Sequence, residues 1–165
     1  MTNKQSSEDG TLSEDEINWL LMRADGGFGI ITTAATHVVP EGQGWKGEMG
    51  VWGDHHVPGL TRLATGIRER GAISLAQIFH GGMFAPEAIT GVRPVSASEN
   101  PLSKDSDETS RELSYDEIES IISSFGDAAS RCAKAGFDGV ELHGAHGYLI
   151  CQFLGEKTNR RKDVW

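Results

Sequence analysis

Apolar positions along the chain form two alternating kinds of block, stripes at helical spacing and short unbroken runs. The first stripe, Ile17, Leu20 and Leu21, follows Ser13-Glu14-Asp15-Glu16, which has the Ser-x-x-Glu spacing of a capping box, and Gly26-Gly27 closes it. A short helix is predicted there. The β-branched run 28–35 then reads as a buried strand, and the Gly-rich stretch 40–50 as a loop. Leu60, Leu63 and Ile67 set a second helix over 58–70, capped by Gly71, and 72–79 reads as a second strand.

A Gly-, Pro- and Ser-rich connection follows over 80–113, a length that marks a lid or binding loop in a compact domain. Ser114-Tyr115-Asp116-Glu117 is another capping box. Behind it Ile118, Ile121, Ile122, Phe125, Ala129 and Cys132 lay an apolar stripe along a long helix ending at Gly136, and 137–142 is the third strand. Strict alternation of strand and helix predicts an α/β fold with a parallel sheet, doubly wound or closed into a barrel.

Composition narrows the partners. A formal net charge of −9 disfavours nucleic acid and anionic membrane surfaces, and Arg160, Arg161 and Lys162 read as a solvated basic face. Two cysteines, Cys132 and Cys151, supply no disulfide framework, and no apolar run is long enough to cross a bilayer. The first ten residues lack the apolar centre of a signal peptide, so a cytoplasmic location is expected.

The chemistry concentrates behind the third strand. Of six histidines and two tyrosines, His143, His146 and Tyr148 fall within six residues, separated by Gly144 and Gly147. Loops at the carboxyl ends of parallel strands carry the reactive side chains of such folds. His-x-x-His spacing is compatible with a metal, but no third ligand stands nearby, and Glu141 is expected on the opposite face from an adjacent strand residue. Two surface histidines without a role are another reading. A third treats both imidazoles as donors to one oxygen, polarising a carbonyl and stabilising the enolate formed when a nucleophile adds to its conjugated double bond. Tyr148, protonated at neutral pH, then delivers a proton to carbon. No side chain donates hydride, so this reading requires a flavin or nicotinamide.

The stretch GFDGVELHGAHGYLICQFLGEKTNRRKDVW resembles the signature of the Old Yellow Enzyme family, NADH:flavin oxidoreductases and FMN-dependent ene-reductases built on a (β/α)8 TIM barrel. GFGIITTAATHVVPEGQG, LAQIFHGG and the opening MTNKQSSEDGTLS add to the likeness, which runs through residues 1–165 in order. The resemblance implies that His143 and His146 bind the substrate carbonyl and that Tyr148 is the proton donor. It implies FMN contacts from Gln77, Ala34 and Thr2, while Lys4 departs from a tyrosine found near there in one bacterial branch. NADH or NADPH is the implied reductant, and an α,β-unsaturated carbonyl the implied small-molecule substrate.

Only about three βα units are legible, against the eight of a complete barrel. The resemblance makes them strands two to four of one partial-barrel domain over 1–165. Strand one and strands five to eight, with the late loops that hold the FMN phosphate, are expected to be missing, and Met1 to be an internal methionine of a gene fragment. Open apolar edges invite pairing with another chain, so a homo-oligomer is one expectation. A catalytically incompetent fragment without cofactor is the alternative to an active enzyme.

Overall fold

A computed structural model describes residues 3–105 and 107–165. Helix α1 (Glu14–Asp25) begins at Ser13, whose hydroxyl accepts from Glu16 N at 3.1 Å. The capping box is only half formed, because the Glu16 carboxylate turns inward and takes the Ser6 hydroxyl instead. The strand expected over 28–35 is divided into β1 (Ile30–Thr32) and β2 (Thr36–His37). Threonine side chains cause the break: Thr33 Oγ1 accepts from Gln77 N at 3.0 Å and donates to the Ala34 carbonyl at 2.8 Å, so a hydroxyl replaces a rung of the ladder.

Helix α2 (Val57–Glu69) and strand β3 (Ile73–Phe79) follow as the periodicity predicts. The 80–113 connection holds short elements that the sequence did not announce: the turn Gly82–Phe84, helix α3 (Glu87–Thr90), and the two-stranded parallel pair β4 (Val95–Ser96) and β5 (Arg111–Glu112). Helix α4 (Tyr115–Ala135) has the complete capping box at Ser114 and Glu117, and stops at Gly136, whose φ of +92 is open to glycine at little cost. Strand β6 (Gly139–Leu142) and helix α5 (Leu149–Leu154) complete the described order.

Strand β3 is the centre. Ile73, Ser74 and Leu75 pair with β1, Ile78 and Phe79 with β2, and Leu75 to Ile78 with β6 on the other edge, every ladder parallel. Ile31, Ala76 and Ile78 point to the helices, where they meet Leu60, Leu63 and Ile67 of α2 and Ala128 and Cys132 of α4 in one buried cluster. In α4 it is Ala128, not the expected Ala129, that is fully buried. The opposite face carries Ile30 and Ile73 exposed to solvent, with Leu75 half-buried and Gln77 near its carboxyl end. Parallel sheets are ordinarily covered on both faces, so this partly bare face is conspicuous. Beside β6, Leu142, Ile122, Phe125, Leu149, Leu154 and Trp165 line an apolar groove of about 490 Å³.

No helix among the described residues is long and apolar enough to cross a membrane. Helices α2 and α4 both pack on the sheet, and Leu63 of α2 is wholly buried in that contact. Leu63→Ala is expected to lower stability by about 3 kcal/mol through lost burial and the cavity left behind. Urea unfolding followed by circular dichroism measures this, and a loss below about 1 kcal/mol would mean that α2 does not carry the sheet.

Candidate active site

Three strand ends converge at the carboxyl edge of the sheet. Phe79 closes β3 and is fully buried, with its ring centroid 5.0 Å from that of Tyr148 and 6.1 Å from that of His143. His143 follows β6 directly. Its backbone N donates to the Ile78 carbonyl at 3.1 Å, so the register of β3 and β6 sets its position. The turn 143–148 then brings His146 and Tyr148 around it: the Tyr148 ring lies edge-on to His143 at 5.0 Å and to His146 at 6.5 Å between centroids. The three residues expected to act together do meet.

Their hydrogen bonds differ from the expected pair of donors to one oxygen. Ala145 N donates to His143 Nδ1 at 3.4 Å, which leaves the His143 proton on Nε2, and Nε2 stands 3.4 Å from His146 Nδ1. His143 therefore donates to His146 Nδ1. Burial, with His146 adding to it, holds His143 below the usual histidine range, so it is uncharged at neutral pH. Burial pushes Tyr148 up, with the Glu48 carboxylate adding to it, so the phenol keeps its proton at neutral pH. His146 takes a φ of +55, the one non-glycine residue among those described in the left-handed region.

Gln77 lies on the inner face beside this cluster. Its Nε2 donates to the Glu141 carboxylate, its register partner on β6, so Glu141 shares the face of Gln77. Among the described residues no group of three or more His, Cys, Asp or Glu side chains is placed to hold a metal ion. Ala34 is 5% exposed in the β1–β2 break, with its carbonyl taken by the Thr33 and Thr36 hydroxyls. Thr2 lies outside the described residues.

Sequence reasoning passed over four aromatic and acidic neighbours. Phe84, from the segment read as a lid or binding loop, stands edge-on to Tyr148 at 6.3 Å, and Trp45, from a stretch read as plain loop, lies 5.7 Å from Phe79. Phe79 itself ends a strand and looked like ordinary core. Glu48 anchors the Trp45 loop: one carboxyl oxygen accepts from Gly44 N at 2.9 Å and the other lies 3.0 Å from His37 Nδ1. Burial pushes Glu48 up to about 9 and His37 down to about 3, so this is a neutral pair in which the carboxyl proton faces Nδ1, not an ion pair. A tryptophan set among four glycines in 40–50 is the sequence signal that could have drawn attention to the loop.

Comparison with known proteins places this geometry. The NADH:flavin oxidoreductase / NADH oxidase family matches residues 1–165. The chain belongs to that family. It is 39% identical over 165 residues to the probable NADH-dependent flavin oxidoreductase YqiG of Bacillus subtilis, covering 100% of this chain and 44% of that one. Over 167 residues it is 41% identical to an NADH oxidase of Thermoanaerobacter brockii, covering 100% of this chain and 26% of the other. Among solved structures, the Old Yellow Enzyme homologue from Zymomonas mobilis superposes with a TM-score of 0.90 at 31% identity, over 99% of this chain and 48% of that one. The sheet and helices are thus part of a TIM barrel, and the chain spans less than half the length of these relatives. Family membership implies FMN as cofactor, with NADH or NADPH as reductant.

The residues present fit such a cofactor. A flavin ring presents apolar faces and an uncharged polar edge, and the inner face offers a carboxamide at Gln77 and half-buried Leu75, with an imidazole held neutral at its carboxyl end.

Glu48 gives a pH test of the site's support. It keeps its proton up to about 9 in the fold, whereas the unfolded chain releases it near the model-compound value of 4.5. Between these values the fold binds the extra proton, so this group's contribution to stability falls as pH rises. Glu48→Gln retains a donor to His37 and an acceptor for Gly44 N and cannot ionise. Its stability relative to the wild type is expected to rise between about pH 5 and pH 9, measured by urea midpoints. Parallel pH profiles for the two proteins would refute the buried neutral carboxyl.

Proposed function

We propose that the chain is the part of an FMN-dependent oxidoreductase that binds and protonates an α,β-unsaturated carbonyl substrate during reduction of its C=C bond by NADH or NADPH. The observation that carries this reading is the convergence of two imidazoles, His143 held neutral, and a protonated phenol at the end of β6, beside Gln77 on the same sheet. Gln77 and Ala34 would hold the flavin, joined by Thr2. FMN, when bound, supplies hydride to the β-carbon.

The chain's own residues do the rest. An incoming carbonyl oxygen replaces His146 Nδ1 as the acceptor of the His143 Nε2 proton, and His146 adds a second donor after a change of tautomer. Neutral donors suit this task, because they stabilise the charge that develops on oxygen without binding anions indiscriminately. Tyr148 faces the same imidazoles and holds its proton at neutral pH, which lets it protonate the α-carbon. Phe79, Phe84 and Trp45 keep this corner apolar and strengthen each polar contact within it.

Tyr148→Phe tests the assignment. In the FMN-loaded chain the rate of enone reduction is expected to fall about 100-fold or more, while reduction of the flavin by NADH stays within about twofold of the wild type. Stopped-flow absorbance separates the two half-reactions. Enone reduction at the wild-type rate in Tyr148→Phe would remove the phenol from the mechanism.

A further inference from the structure

Behind the turn that carries His146 and Tyr148 lies a side chain to which the proposed chemistry gives no role. Gln152 on α5 is 1% exposed, and both ends of its carboxamide are engaged. Nε2 donates to the Gly147 carbonyl at 2.6 Å, and Oε1 accepts from Met83 N at 3.3 Å. Gly147 sits between His146 and Tyr148 in the chain, and Met83 precedes Phe84. One buried amide therefore joins the two segments that wall the candidate site on either side of Tyr148.

Two backbone features accompany this bridge. Gly82 makes room for it, since a Cβ there would lie 2.7 Å from Gln152 Nε2, and its φ is +62. His146, at φ +55, holds a conformation that a side chain with a Cβ adopts only when its surroundings enforce it. The carbonyl of the next residue is held by Gln152. Leu149 N also bonds the His80 carbonyl, at 3.0 Å, but it acts on the chain after Tyr148 rather than on the turn itself.

We infer that Gln152 is a positioning residue of the site: its carboxamide holds the turn 143–148 against Gly82–Phe84 and so fixes where His146 and Tyr148 meet a substrate. The consequence for turnover rests on the ene-reductase reading, whereas the geometry of the turn is testable without it.

The experiment records long-range 1H–15N NMR spectra of the imidazoles in the 15N-labelled chain. In Gln152→Met the paired pattern of His143 and His146 is expected to be lost to averaged tautomers, while the His37 signals, set by Glu48 on another part of the fold, stay in place. Should that variant unfold and lose His37 as well, Gly82→Ala crowds the carboxamide without removing it, and the same loss at His143 and His146 is expected. Unmoved His143 and His146 signals in a folded variant would overturn the inference. With FMN and NADH, Gln152→Met is further expected to raise KM for cyclohex-2-enone about fivefold or more with flavin reduction unaffected, and an unchanged KM would also overturn it. A wild-type chain that reduces no enone would sink the ene-reductase reading, and the ring spectra would still decide the role of Gln152.

Discussion

The parallel pairing of β3 on both of its edges is the constraint from which the rest of the molecule follows. Its helix-facing residues Ala76 and Ile78 close the core against α2 and α4, while Gln77 and Phe79, one residue out of step, face the other way and begin the site. A slip of one residue would exchange the two sets. The same ladder hands His143 its place, because the His143 amide continues the β6 pairing onto the Ile78 carbonyl. Core and chemistry are thus fixed by one register.

Burial then determines the character of the site. His143, Tyr148, His37 and Glu48 are all driven toward their uncharged forms, chiefly by loss of solvent. The result is a corner of uncharged polar groups backed by aromatic rings. The two imidazoles satisfy each other, which lowers the cost of keeping polar groups in a partly dry corner.

Much of this was legible in the chain because it rests on local rules. Ser114 with Glu117, Gly136 and the Leu60, Leu63, Ile67 stripe gave the helices, and the strand-helix alternation gave the parallel sheet. The resemblance singled out His143, His146 and Tyr148, and the fold brings these residues together. The rest depended on contacts between distant parts of the chain. No periodicity reveals that Thr33 would break a strand by capping Gln77 N across the sheet, that Glu16 would leave its capping box for Ser6, or that Gln152 would reach back to Met83. Trp45 and Phe84 sit in loops, where polar and glycine-rich sequence hides a ring aimed at the site.

The central claim is that the ends of β3 and β6, with the β1–β2 break, form one side of a flavin site. Titration of the 15N-labelled chain with FMN, followed by NMR, tests it most directly. The account predicts saturable shifts confined to the Gln77 side-chain amide, Ala34 and the turn 143–148. No shifts at saturating FMN in a folded chain, or shifts only in the apolar groove beside Leu142 and Trp165, would contradict it.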